Sequence, residues 1–246
     1  MIRLKTDMSK NDLKRGIKLP DKITSDLAED VGFHIGDGYM KKRIDNYGIH
    51  YDFAYSGSDP DDLAYFRDVL IPRKLSIFNL SNLRIQKHKT KNAIFLKFQS
   101  KAVFLFYKNV LCVQESPKTD IRIPIWIFDS IDLQKSALRG LIDSDGNFKI
   151  VKKGYPMISF SSQSKGLTED IGRILKNLSI PFSSFKILDT NKVTKKVYTK
   201  FYVQISGKKN LGKWINLVGF NNPKHLNKYY NWKNKWVGAE SNLANS

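Results

Sequence analysis

Hydrophobic and polar residues alternate most regularly in VYTKFYVQIS (197–206), where Val197, Thr199, Phe201, Val203 and Ile205 interleave with Tyr198, Lys200, Tyr202, Gln204 and Ser206. A period of two predicts a strand with one dry and one wet face. Strand-like segments recur in pairs: YMKKRI (39–44) with GIHYDFAYS (48–56), LRIQKHKT (83–90) with NAIFLKFQ (92–99), NFKIVKK (147–153) with PMISFSS (156–162), and SSFKILDT (183–190) with KVYTKFYVQIS (196–206). Between the pairs lie helix-like stretches, DPDDLAYFRDVLIPRKL (59–75) and KGLTEDIGRILKNL (165–178). Asp59-Pro60 opens the first, and Ser164 stands before Lys165 at the start of the second, both helix N-terminal signals.

This order is a repeat. LAEDVGFHIGDGYM (27–40) matches SALRGLIDSDGNFK (136–149), RKLSIF (73–78) matches KNLSIP (176–181), and FLKFQSKAVFLFYKNVL (95–111) parallels YVQISGKKNLGKWINLV (202–218). Lys101 follows Asp37 at almost the same offset as Lys208 follows Asp145. Matching offsets predict an α+β chain built from two units of about 100 residues, each an αββαββα succession. We expect a basic N-terminal extension at 1–19, a first unit at 20–119, a linker at 120–124 between Pro117 and Pro124, a second unit at 125–238 and a tail at 239–246. The N-terminal extension reads either as a basic arm or as an unstructured lead-in.

Each unit opens with a helix that ends at Asp-Gly. Gly32 and Gly36 stand four apart, as do Gly140 and Ser144, so each pair shares one helix face. Small residues on a face let two helix backbones approach closely. Asp37 and Asp145 follow that face, and Gly38 and Gly146 are expected to stop the helices as left-handed caps. Helices packed side by side would bring the two carboxylates together near the last-turn carbonyls, which have no partner within the helix. Such a hard-oxygen site suits Mg²⁺. A single Asp-Gly could equally be a helix-ending turn.

Charge sharpens the picture. The 246 residues hold 42 Lys and Arg against 23 Asp and Glu, a formal net charge of +19. Self-repulsion on this scale usually answers a polyanion, with nucleic acid the first candidate and an anionic membrane surface the second. The longest apolar run, AVFLFY (102–107), falls far short of the roughly 20 residues that span a bilayer. The N-terminus is charged throughout, and the single cysteine, Cys112, can make neither an internal disulfide nor a thiolate zinc site. These features lead us to expect an intracellular protein, in cytoplasm, nucleoid or organelle matrix, with no membrane partner. None of His34, His50, His88 and His225 has metal-ligand spacing. Tyr229, Tyr230, Trp232 and Trp236 form an aromatic stripe in the last, lysine-rich helix, read as core or as a base-stacking surface.

LRGLIDSDG (138–146) resembles the LAGLIDADG motif of homing endonucleases, differing at Arg139 and Ser144, and DVGFHIGDG (30–38) is a looser copy. The resemblance covers roughly residues 20–238. It implies two pseudo-symmetric units, each a curved antiparallel saddle under helices, joined at the two motif helices. It further implies a monomer without an obligate protein partner that cuts double-stranded DNA at a long pseudo-palindromic site. Asp37 and Asp145 would bind the divalent metal, with the backbone carbonyls of Gly36 and Ser144 contributing. Mg²⁺ is the expected ion, Mn²⁺ a compatible one, and Ca²⁺ one that supports binding without cleavage. Asp143 reads as a structural residue, because its counterpart is Ile35.

Basic or amide side chains beside the metal complete such sites. The candidates are Gln163, opposite a first-half position near Ser56, together with Lys97, Gln99, Lys101, Gln204 and Lys208. The wet sheet faces are expected to meet DNA through Lys41, Lys42, Arg43, Arg84, Gln86, Lys87, His88 and Lys89 in the first half. In the second they would use Asn147, Lys149, Lys152, Lys153, Lys186, Lys192, Lys195, Lys196, Tyr198 and Lys200. Two-stranded ribbons fit the major groove, and most lysines would touch phosphate. Two functions stay open at this point: a metal-dependent endonuclease, or a DNA- or RNA-binding relative such as an intron-splicing maturase or regulator.

Overall fold

A computed structural model describes residues 7–191 and 193–236. A short helix, α1 (Lys10–Lys14), is capped by Ser9 and docked through Asp12, whose buried carboxylate accepts from the Ala102 amide at 3.1 Å. The N-terminal segment is therefore a seated element from its capped helix onward. The first unit then runs α2 (Ser25–Asp37), β1 (Gly38–Asp45), β2 (Gly48–Ser58), α3 (Leu63–Tyr65), a π-helical turn (Phe66–Leu70), α4 (Ile71–Phe78), β3 (Ile85–Lys87), β4 (Ala93–Gln99), α5 (Lys101–Leu105) and a second π turn (Phe106–Val110). Residues 111–124 carry neither helix nor strand and lead through a 3₁₀ turn (Ile125–Asp129) into the second unit. That unit is α6 (Ile131–Asp145), β5 (Asn147–Val151), a 3₁₀ turn (Lys152–Gly154), β6 (Tyr155–Ser162), α7 (Lys165–Asn177), β7 (Ser183–Thr190), β8 (Val197–Ser206), α8 (Lys208–Leu217) and α9 (Pro223–Trp236). Lys192 and the tail at 239–246 lie outside the described residues.

Both units carry a four-stranded antiparallel sheet, and the strand orders correspond: β1-β2-β4-β3 and β5-β6-β8-β7. The core faces are those the alternation predicts. Met40, Phe53, Tyr55, Leu96 and Phe98 face Phe33, Phe66, Phe104 and Tyr107 in the first unit; Phe148, Ile158, Phe160, Val203 and Ile205 face Leu138, Ile171 and Trp214 in the second. Each such side chain contributes about 1.5–3 kcal/mol by leaving water.

Several local details differ from the sequence expectation. Asp59-Pro60 does not cap the 63–78 helical stretch; Asp62 precedes it, and its carboxylate accepts from Ser58 N at 2.9 Å instead. Pro72 has no amide to donate, and the ladder before it shifts to π spacing at Phe66–Leu70. β3 is shorter than 83–90 because the His88 ring accepts the amides of Thr90 and Lys91, each at 3.1 Å, and folds the strand end into a turn. Ser164 caps α7 as expected, accepting from Leu167 N at 3.3 Å.

α2 and α6 pack against each other along their glycine faces. A Cβ on Gly32 would stand 2.0 Å from the Ala137 carbonyl oxygen, and one on Gly140 2.0 Å from that of Glu29, so both positions must lack a side chain. Gly38 and Gly146 are not left-handed caps. Their φ/ψ of −80/144 and −77/156 are extended, and the chain passes straight from helix into strand. Crowding accounts for both glycines, since a Cβ would lie 2.4 Å from His34 Nδ1 at Gly38 and 2.4 Å from Ile142 O at Gly146.

Candidate metal centre and nucleic-acid interface

The two helix ends deliver their acids to one place. Ser144 Oγ would stand 2.1 Å from a Cβ on Gly36, and the Asp145 carboxyl carbon 3.4 Å from it, so Asp37 and Asp145 end side by side. Their carboxyls share a side-chain hydrogen bond. Burial, and then the field of Asp145, pushes Asp37 up to about 7. Asp145 is raised as well, chiefly by burial, with Lys118 and the Asp37 hydrogen bond pulling the other way. Two half-desolvated acids this close hold one proton between them near neutrality.

A cation already sits at this spot. Lys118, from the segment between the units, donates to the carbonyls of His34, Ile35 and Gly36 at 2.8, 2.7 and 3.0 Å. Burial lowers its pKa to about 8, while Asp145 and Asp37 oppose that shift. The ammonium thus uses the last-turn oxygens of α2, at the negative end of its dipole. Lys224, in the first turn of α9, bonds Asp62 Oδ1 at 2.7 Å and also acts on Asp37. Sequence reasoning missed both lysines. Their signal was positional: each follows the Asp of its own half at nearly the same offset, just after a proline, at Pro117-Lys118 and Pro223-Lys224.

Lys101 opens α5 and pairs with Asp7, Lys97 stands over the Phe95 ring at 5.1 Å, and Lys208 begins α8. The cations that act on the two acids are Lys118 and Lys224 instead. Gln163 is exposed directly after β6, on the strand that pairs with the start of β5. Asp143 is buried; burial drives its pKa up to about 8, and it accepts from Asn221 N at 2.8 Å, in keeping with a structural part.

Two carboxylates with carbonyl oxygens of Gly36 and the last turn of α6 make an all-oxygen donor set, and the ammonium on Gly36 O shows that these oxygens accept a cation. The set fits a hard divalent ion that keeps part of its water shell. Among the described residues no group of three or more His, Cys, Asp or Glu is gathered for a metal, so the candidate centre rests on two carboxylates and carbonyl oxygens.

Register divides the predicted DNA-binding residues between two faces. On the open face of the first sheet stand Lys41, Arg43, Gln86, Lys97 and Gln99, with Asp52 between them accepting from Arg43 at 3.2 Å and from Gln99 at 2.6 Å. On that of the second stand Asn147, Lys149, Tyr198, Lys200 and Gln204. Lys42, Lys87 and Lys186 have the parity of buried Met40, Ile94 and Val203 and leave from the opposite face; Lys87 pairs with Asp59 at 2.8 Å. Arg84, Lys89, Lys152, Lys195 and Lys196 flank strands in turns.

Residues 132–219 match the sequence profile described as a LAGLIDADG-like domain. Most of the chain shares its fold with homing endonuclease structures. I-DmoI in complex with DNA and Ca superposes with a TM-score of 0.57 at 17% identity, over 81% of this chain and 93% of that one. Mesophilic variants of the homing endonuclease I-DmoI give 0.56 at 17%, over 79% and 95%. I-SmaMI bound to uncleaved DNA target in the presence of calcium gives 0.53 at 11%, over 90% and 93%. At these identities the likeness is one of architecture. No match to a curated protein is found. Within the matched stretch α6 ends at Asp145, and α2, which packs against it, ends at Asp37. No helix of the described residues is long and apolar enough to cross a membrane.

Proposed function

We propose that this protein is a site-specific endonuclease of the homing type, hydrolysing phosphodiesters of double-stranded DNA with a divalent metal, Mg²⁺ first. The observation that carries the reading is the meeting of Asp37 and Asp145, one from each half of the chain, in one hydrogen bond at paired helix ends. Two basic open-faced sheets extend to either side of that point, and each is of the two-ribbon form that enters a major groove. I-DmoI and I-SmaMI, which share this fold, are solved in complex with DNA, and that supports the same partner here.

Asp37 and Asp145 would hold the metal with the Gly36 and Ser144 carbonyls. When bound, the ion supplies charge stabilisation at the phosphate and a more acidic water. Binding it requires both carboxylates ionised, so the shared proton leaves. Lys118 and Lys224 bring positive charge to either side of the pair, where they can offset the charge of a phosphate at the scissile bond. Both acids come from one chain, so the site needs no second copy. The non-identical faces, Lys41, Arg43 and Gln99 against Asn147, Lys149 and Lys200, imply a pseudo-palindromic target.

The test is cleavage of DNA spanning the insertion site of the gene, in Mg²⁺ and then in EDTA. Asp37→Asn and Asp145→Asn should each lower cutting by about a thousandfold or more, the several kcal/mol a catalytic metal contributes. Binding in Ca²⁺ should persist. Unchanged cutting by either variant would refute the assignment.

A further inference from the structure

The second half keeps a groove that the first half closes. In the first unit the segment after α5 straps the outer edge of β1: Ser116 N donates to Met40 O at 2.7 Å, and Glu115 accepts from the Lys42 amide at 3.3 Å. In the second unit the matching edge strand, β5, faces α9 across an open groove of about 540 Å³. Its floor includes Trp232 and Trp236, and its rim carries Lys149, Lys153, Lys228 and Lys235, with no acid among the described residues that line it. All four lysines are exposed. Trp232 is fixed by donating to Gly154 O at 2.7 Å, and Trp236 closes on Gly154, where a Cβ would meet its ring at 2.3 Å, so the floor is rigid.

We infer that this groove binds the sugar–phosphate backbone of the DNA strand that runs out from the acidic pair along the second half. The inference rests on the endonuclease reading and deepens it. Four cations with no counter-acid complement a polyanion, while flat aromatic rings accept the apolar faces of deoxyribose. Continuity decides between DNA and an acidic peptide. β5 begins two residues after Asp145, and its Lys149 belongs both to the open sheet face and to the groove rim. Five strand residues at about 3.3 Å each carry the groove roughly 17 Å outward, the axial span of about five phosphates of one strand. The strapped first half offers Glu115 at this position, so the protein holds its two half-sites unequally.

The test is equilibrium binding to a 30-base-pair duplex of mixed sequence in Ca²⁺, with affinity measured against NaCl concentration. Each lysine–phosphate contact adds about 0.9 to the slope of log K against log salt. Lys228→Gln/Lys235→Gln should lower the slope by about 2, whereas Lys165→Gln/Lys176→Gln, with the same charge change on α7, should leave it within about half a unit. Equal slopes for the groove variant and the wild type would overturn the inference, as would an equal fall in the α7 control, which would mean that only net charge counts. Absence of duplex binding by the wild type would instead sink the endonuclease reading.

Discussion

The two halves share a backbone and differ in how their cores are filled. Beneath α2 the first half buries charge. Lys74 is fully buried, and its ammonium donates to Asp30 at 2.9 Å, to Tyr55 at 2.7 Å and to Tyr107 at 3.0 Å; His34 Nδ1 meets Tyr55 Oη at 3.0 Å. Tyr107 also bonds Asp30. At the corresponding positions beneath α6 stand Leu138, Ile142, Phe160, Asn177 and Trp214. There Asn177 turns to Gln134 on α6 at 2.8 Å, and Leu138, Ile142, Phe160 and Trp214 close on a cavity of only about 10 Å³. One geometry is therefore held by a hydrogen-bonded ion pair on one side and by plain packing on the other. What the two motif helices keep in common is the glycine at their contact and, at their ends, a small residue, an aspartate and a glycine. Pseudo-symmetry here is enforced by the site, and the cores are free to diverge provided each is satisfied.

This contrast can be broken by substitution. Lys74→Ala should cost about 3–5 kcal/mol in urea denaturation, because it strands the buried Asp30 carboxylate and two phenols. A loss under about 1 kcal/mol would mean that the network carries no weight. Lys118→Met and Lys224→Met should each slow cleavage roughly ten- to a hundredfold, about 1.4–2.7 kcal/mol, at unchanged Ca²⁺-supported binding. Equal losses would show that the halves are chemically symmetric at the site despite their different cores.

The acid pair gives a pH signature next in size. Asp37 is raised from its ordinary 3.8 to about 7, so in the metal-free protein the folded state holds a proton that the unfolded state has released. That penalty is absent below about 4, grows as pH rises and is complete above about 7, so metal-free stability should fall across this window. Metal binding displaces the same proton, so apparent Mg²⁺ affinity should rise about tenfold per pH unit up to 7 and level off beyond it. Isothermal titration at pH 6 and 8, read for proton release in two buffers, checks this; an affinity independent of pH would remove the shared proton. The smallest effect is expected from grafting one core on the other. Asp30→Leu/Lys74→Met removes both charges together and should leave stability within about 2 kcal/mol, because a buried pair replaced as a unit loses its desolvation cost as well as its attraction. A loss as large as that of Lys74→Ala would show that the phenols depend on the ammonium.

The amino-acid order carried the strand pairs, the duplicated succession of elements and the two helices that stop at Asp-Gly, all of which are local or periodic properties. Alternation follows from the two-residue pleat, and a helix that stops at Asp-Gly beside a glycine spacing of four is a short-range pattern. Tertiary structure decided what depends on contact across the chain. Only packing shows that Gly38 and Gly146 are needed for crowding at extended φ and not for a left-handed turn, or that Lys42, Lys87 and Lys186 leave the wrong face for the saddle. Only packing brings Lys118 to three last-turn carbonyls of α2, from a segment with no helical or strand periodicity of its own. A site made of helix ends is written in the sequence wherever its ligands ride on those ends. The cations that tune it arrive from segments without periodicity, and only packing across the chain brings them beside the two adjoining acids.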